Sequence, residues 1–212
     1  MKLELRLPPK VVKSMRKLTG MDVEVSGHLM FNLDGSLRTV LYDYDDQTIG
    51  RDAPDPDLIF HTHPADYATL YPDHPSVTDV LTTHYLMCDR KETVGHAIFT
   101  PKFVYLLRSD CSVATGDAGV RTKETFERCK RATPDRSTET FRQCYLRGLS
   151  DRVVRVERYA YDDIEGRDLV LEVDAPARSL WRTHRRETLA VLMSAAVLAA
   201  AFLVGPTRSS RS

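Results

Sequence analysis

The segment DLIFHTHP, residues 57–64, decides the fold and the candidate chemistry of this chain. Its apolar run, Leu58–Phe60, is followed by a short polar stretch that ends at a proline, which is typical of a buried strand. Residues two apart on a strand share a face, so His61 and His63 are predicted to project side by side. We therefore expect two imidazoles to converge at the end of this strand.

A helix is predicted soon after this strand, in the segment PSVTDVLTTHYLM at residues 75–87. It begins near Ser76, which places Asp79 in the first turn. A serine followed three residues later by an acid can satisfy free backbone donors as a capping box, and this is the structural interpretation of the pair. The two histidines have a structural interpretation as well, since histidines at strand ends often only pack.

Upstream of the histidines, the sequence predicts a helix and a β-hairpin. The segment KVVKSMRKLTG places Val11, Met15 and Leu18 at helical spacing. The segment DVEVSGHLMF alternates as a strand does and carries Glu24, while NLDGS predicts a turn and LRTVLYDY the second strand. The loop at 43–57 is rich in aspartate and proline. We expect it to be solvated rather than a calcium site because its acids lack EF-hand spacing.

Downstream, the chain alternates between predicted strands and helices. TVGHAIFT and FVYLLR predict two strands, and TKETFERCKRAT and STETFRQCYLRGLS predict two helices. The second helix carries Phe141, Tyr145 and Leu149 on one stripe. VVRVERYAY and DLVLEVDA predict a final pair of strands. Residues 117–173 contain no motif that indicates chemistry, so we expect them to complete the domain and to contact a partner or substrate.

Three motifs occur in a diagnostic order: EVSGH from Glu24, HTHP from His61, and PSVTD ending at Asp79. A glutamate on an early strand, HxHP and then SxxD supply three metal ligands, an open water position and a nearby base. In this order the motifs resemble the JAMM/MPN metalloprotease family, over roughly the first half of the chain. The resemblance implies an MPN-like fold of the α/β (α+β) class, with a mixed, curved sheet flanked by helices.

The resemblance also implies a role for each site residue. His61, His63 and Asp79 would bind Zn²⁺, which lowers the pKa of a bound water toward neutrality. Glu24 would accept the water's proton as general base, and Ser76 would donate a hydrogen bond to the oxyanion of the tetrahedral intermediate. In this family the bond cleaved is often the isopeptide bond that joins ubiquitin or a ubiquitin-like protein to a lysine.

The loop between the histidines and the helix departs from the family pattern. Twelve residues separate His63 from Ser76, more than the family usually has, although loop length costs little free energy. The insertion contains His74, which could compete as a metal ligand. We expect Asp79 to hold that position instead, because a loop histidine is usually solvated.

Two other functions stay open at this point. The same ligands serve zinc hydrolases that act on small-molecule amides, and the sequence does not separate these from peptidases. A non-catalytic MPN scaffold that binds partners is disfavoured because the ligand set is intact. A nucleic-acid partner, as in the RadC branch, is disfavoured because thirty basic and thirty acidic side chains cancel and no basic patch stands out.

Composition also suggests a compartment. The N-terminal MKLELRLPPK lacks the apolar core of a secretory signal, because charged residues recur at every second position. A chain of 212 residues does not need a disulfide framework, and its cysteines form no CxxC pair. We therefore expect reduced thiols in the cytosol. The cysteines are Cys88, Cys111, Cys129 and Cys144.

The C-terminal region contains the uncharged run LAVLMSAAVLAAAFLV, which is at the short end of what spans a bilayer. It could be a buried helix, but the lack of a polar face favours a membrane anchor. More arginines precede the run than follow it, which favours a single-pass, tail-anchored protein whose catalytic domain faces the cytosol. The predicted regions are a JAMM/MPN core at 1–115, helices and strands completing the domain at 116–176, a basic juxtamembrane linker at 177–187, a transmembrane anchor at 188–206 and a short tail at 207–212.

Overall fold

A computed structural model describes most of the region that precedes the apolar tail. The described residues are 2–43, 57–65, 73–136, 138–150 and 153–174. They belong to one compact unit, Met1–Ala175. Within them, no helix is long and apolar enough to cross a membrane. The predicted anchor at 188–206, its basic linker and most of the acidic loop at 43–57 lie outside the described residues.

The described chain is a mixed α+β domain, which confirms the predicted class. It contains eight strands, five α-helices and one π-helical segment. In chain order they are β1 (Lys2–Leu7), α1 (Pro9–Leu18), β2 (Ser26–Phe31), β3 (Leu37–Asp43), β4 (Asp57–Thr62), α2 (Val77–His84), the π-helical segment (Tyr85–Arg90), β5 (His96–Phe99), β6 (Phe103–Ser109), α3 (Thr115–Ala132), α4 (Glu139–Ser150), β7 (Val154–Ala160), α5 (Tyr161–Ile164) and β8 (Leu169–Asp174).

Six strands form one sheet in the order β3-β2-β4-β5-β6-β7. Only β4 and β5 run parallel, and the other neighbours are antiparallel. The predicted hairpin of β2 and β3 is confirmed, with Gly35 at a φ of 82° in its turn. The connection from β4 through α2 and the π-helical segment to β5 is therefore a crossover between parallel strands.

The last two strands are not paired with each other, contrary to the prediction. β7 pairs with β6 at the edge of the six-stranded sheet. β8 pairs instead with β1, with Lys2 opposite Asp174 and Leu7 opposite Leu169. The sequence prediction missed β1 altogether, although its leucines alternate with charged residues in the period of a strand. Nothing local in the sequence shows that two segments so far apart along the chain are neighbours.

Each face of the six-stranded sheet is covered by a separate apolar cluster. Ala97 and Phe99 of β5 pack with β1, β8 and α1, whereas Ile98 packs with α2, α3 and α4. This alternation follows from the strand's period of two. The predicted stripe on α4 faces the second cluster, where Phe141, Tyr145 and Leu149 are fully buried. Within the paired strands β4 and β5, His61, Ile59 and His96 lie on the same face of the sheet. This is the face that the helices cover.

The prediction of reduced thiols is wrong. Cys88 is bonded to Cys111, and Cys129 is bonded to Cys144, which leaves no free cysteine. The second bond joins α3 to α4, whose side-by-side packing brings the two Cα atoms to 5.8 Å, within the range that a disulfide bridges. Helix packing decides this distance, and the spacing of cysteines along the chain does not reveal it.

Candidate metal centre

The crossover between β4 and β5 brings the candidate ligands together. His61 lies at the end of β4, and His63 follows two residues later with its N–H bonded to the carbonyl of Phe99 over 2.8 Å. A helix that connects parallel strands begins near the carboxyl end of the first strand. The first turn of α2, which carries Asp79, therefore meets the two histidines.

The donor atoms of the three residues form one compact group. His61 Nε2 lies 3.0 Å from His63 Nε2. Asp79 Oδ1 lies 3.4 Å from His61 Nε2, and Asp79 Oδ2 lies 3.4 Å from His63 Nε2. Metal–ligand bonds of about 2.0–2.2 Å at tetrahedral angles separate neighbouring ligand atoms by roughly 3.3–3.6 Å. The observed spacing is close to that range, so this group could hold a metal ion.

Asp79 is oriented by the start of its own helix. Ser76 is the N-cap of α2, and its Oγ accepts a hydrogen bond from the Asp79 N–H over 3.1 Å. The Ser76 N–H in turn donates to Asp79 Oδ2 over 2.6 Å. The predicted capping box is thus present. It coexists with the metal-binding geometry because a carboxylate oxygen can accept a hydrogen bond and still approach both imidazoles.

Glu24 lies beside the group but not on a strand, contrary to the prediction. β2 begins at Ser26, two residues later. The Val25 backbone exchanges hydrogen bonds of 2.9 Å with Thr62, its N–H donating to Thr62 Oγ1 and its carbonyl accepting from the Thr62 N–H. This places Glu24 Oε1 3.8 Å from His61 Nε2. The Glu24 side chain keeps 37% of its surface exposed, so it lies at the solvent side of the group.

Electrostatics favour the protonation states that bind metal. Burial lowers the pKa of His61 well below its ordinary value, and the nearby His96 and His63 lower it further. Burial opposes ionisation of Asp79, but the interaction with His61 and the hydrogen bond from His63 hold the pKa of Asp79 far below its usual range. At neutral pH, neutral His61 and ionised Asp79 are therefore favoured, and both are forms that coordinate a cation.

The sequence prediction missed two residues that are linked to His61, one directly and the other through the first. His61 Nδ1 lies 2.7 Å from His96 Nε2, and His96 Nδ1 lies 2.8 Å from Thr83 Oγ1. Both residues are buried. The sequence does show a histidine at the start of a predicted strand. Its contact with His61 could not be predicted, however, because it depends on which strand lies next to β4.

His74 is not among the candidate ligands. Of the described residues, the group that could hold a metal ion consists of His61, His63 and Asp79. His74 is nevertheless buried rather than solvated: its ring lies 5.3 Å from that of Phe141, and its Nδ1 donates to the Pro75 carbonyl over 2.9 Å.

No family model matches the chain, and no curated protein or solved structure is significantly similar to it. The likeness to the JAMM/MPN family thus stays a prediction that rests on the motifs. The donor set itself does not select zinc, because imidazole and carboxylate ligands also suit iron, copper and nickel.

Proposed function

We propose that this protein is a zinc-dependent amide hydrolase of the JAMM type that removes ubiquitin or a ubiquitin-like protein from a lysine. The observation that carries the proposal is the position of Glu24, whose carboxylate lies 3.8 Å from His61 Nε2 at the edge of the ligand group. Two imidazoles, one carboxylate and a separate acid nearby match the needs of a hydrolytic metal site. A purely structural histidine pair would not need that acid.

Each residue has a distinct task in this proposal. His61, His63 and Asp79 hold the zinc, which when bound lowers the pKa of a water and polarises a carbonyl. Glu24 takes the proton from the attacking water and passes it to the departing amine. Ser76 Oγ accepts a hydrogen bond from the Asp79 N–H, and its own proton is then available for the oxyanion of the tetrahedral intermediate.

Metal content is the first test. The full-length chain and a His61→Ala, His63→Ala double variant are purified in zinc-supplemented buffer and measured by elemental analysis. We expect about one zinc per wild-type chain and a large loss in the variant. A folded wild type without zinc contradicts the proposal, and binding of another metal in preference to zinc redirects it to different chemistry.

Hydrolysis is the second test, with Glu24→Gln as the matched control. This substitution keeps the size of the side chain but removes the base, so zinc content should be unchanged while the rate falls by about 100-fold or more. Substrates are di-ubiquitins of each linkage, unmodified peptides and small acyl amides. Zinc binding without cleavage of any of them favours the scaffold alternative, and cleavage of the small amides alone favours the small-molecule alternative.

The proposal includes attachment to a membrane through residues 188–206, with the domain in the cytosol. The excess of arginines before this run supports the cytosolic orientation. The two disulfides oppose it, because disulfides persist mainly in oxidising compartments. Protease protection of intact membranes distinguishes the two orientations. A protected, non-cytosolic domain would exclude ubiquitin as substrate and favour a peptide or a small amide.

A further inference from the structure

A continuous chain of hydrogen bonds connects one candidate ligand to the backbone of another. His61 Nδ1 lies 2.7 Å from His96 Nε2, and His96 Nδ1 lies 2.8 Å from Thr83 Oγ1. Thr83 Oγ1 then donates to the backbone carbonyl of Asp79 over 2.6 Å. This series of hydrogen bonds starts at the candidate ligand on β4, passes through β5 and ends at the candidate ligand on α2.

The direction of every hydrogen bond follows from the last one. A carbonyl oxygen only accepts hydrogen bonds, so the Thr83 hydroxyl donates its single proton to the Asp79 carbonyl. The Thr83 oxygen must then accept a hydrogen bond from His96. The proton of a neutral His96 therefore sits on Nδ1, which leaves His96 Nε2 as an acceptor. His61 must then carry its proton on Nδ1. Its other nitrogen, Nε2, is left with a free lone pair, and this is the atom that faces His63 and Asp79.

We infer that His96 is a positioning residue that fixes the tautomer and ring orientation of His61, so that Nε2 is presented to the metal. Metal-binding histidines usually donate their other N–H to a partner that orients the ring, and here a second buried histidine is that partner. The inference rests on the proposed metal site but not on its hydrolytic activity. Thr83 supports His96 in the same way, from the helix that carries Asp79.

The position of His96 on the sheet explains how it reaches His61. In the parallel register of β4 and β5, His96 is opposite Ile59, two residues before His61. His96 and His61 thus share a face of the sheet as diagonal neighbours, with ring centroids 4.7 Å apart. If His96 only filled space at this buried place, an apolar side chain could replace it well. If His96 acts as a hydrogen-bond acceptor, an apolar side chain could not replace it.

Two substitutions of His96 separate these roles. In His96→Gln, the side-chain oxygen can take the place of Nε2 and accept from His61, whereas His96→Leu is apolar and offers no acceptor. Zinc affinity is measured by chelator competition on the full chain for both variants and the wild type. We expect His96→Leu to weaken zinc binding by about 10- to 100-fold and His96→Gln to recover most of that loss.

The relative zinc affinities of the two variants decide whether His96 positions His61 or only packs. If His96→Leu binds zinc as well as His96→Gln or better, the ring only packs and the inference is overturned, while the zinc site of the proposed function stands. If the wild type binds no zinc, both the inference and the proposed function fail. Unfolding midpoints in EDTA are measured alongside, so that a loss of folding is recognised.

A measurement on the wild type alone covers the case in which neither variant folds. Long-range ¹H–¹⁵N correlation spectra of the zinc-loaded protein report which ring nitrogen carries the proton. We expect a proton on Nδ1 of both His61 and His96. A proton on Nε2 of His96 would reverse the direction of the hydrogen bonds and overturn the inference without any substitution.

Discussion

Ser76 and Asp79 exchange two hydrogen bonds across the first turn of α2, and the Asp79 carboxylate in the same geometry reaches both candidate histidine ligands. One side chain thus caps a helix and belongs to the group that could hold a metal ion. The two tasks need different properties. The cap needs an acceptor atom, whereas a cation also needs the negative charge, so substitutions separate them.

Asp79→Asn keeps an acceptor for the Ser76 N–H but removes the charge. We expect zinc affinity to fall by more than about 100-fold, since a ligand matters more than its supporting contacts. The free energy of unfolding of the metal-free protein should fall by no more than about 1 kcal/mol. Chelator competition and urea unfolding in EDTA measure the two quantities. Unchanged zinc affinity would remove Asp79 from the ligand group.

Ser76→Ala tests the proposed second task of the cap residue. Loss of the N-cap costs about 1 kcal/mol of unfolding free energy, and loss of an oxyanion donor lowers the hydrolysis rate by about 100-fold. Thr138→Ala is the matched control, because Thr138 Oγ1 accepts from the Phe141 N–H at the start of α4. We expect the control to lose similar stability without losing activity. Equal rates for both variants would leave Ser76 as a cap only.

His74 makes stability depend on pH. Burial lowers its pKa from the ordinary 6.5 to about 4, so the folded protein keeps the ring neutral where the unfolded chain takes up a proton. The stability that neutral His74 contributes is complete above pH 6.5 and is lost as the pH falls towards 4.

Comparison with His74→Phe isolates this contribution, because Phe141 and Tyr145 already surround the ring. Urea unfolding in EDTA at about pH 7.5 and pH 4.5 gives the free energy of each protein. Between these values, wild type should lose about 2 kcal/mol more than the variant. If both proteins lose the same free energy of unfolding between these pH values, His74 titrates at its ordinary pKa.

The disulfide between α3 and α4 should contribute to stability. Replacing Cys129 and Cys144 by alanine should lower the free energy of unfolding by about 3 kcal/mol, the amount typical for closing a loop of this length. Urea unfolding without reductant measures the change, and thiol titration of the native wild type provides the control. Detection of free thiols at these positions in the oxidised protein would contradict the bond.

Local sequence pattern was enough to predict most elements and much of the candidate site. A short apolar run followed by HTHP predicted β4, and the spacing of Phe141, Tyr145 and Leu149 predicted the buried face of α4. The strand period placed the two histidines side by side. These predictions succeeded because they depend only on residues a few positions apart, whose geometry follows from the backbone itself.

Only the tertiary structure decided which elements are neighbours. The pairing of β1 with β8, the Cys129–Cys144 bond and the contact between His61 and His96 join segments whose adjacency depends on how the sheet is ordered and how the helices pack. Sequence alone placed imidazoles and a carboxylate on separate elements. The parallel arrangement of β4 and β5 brought the start of α2 to the end of β4, and this packing made them one site.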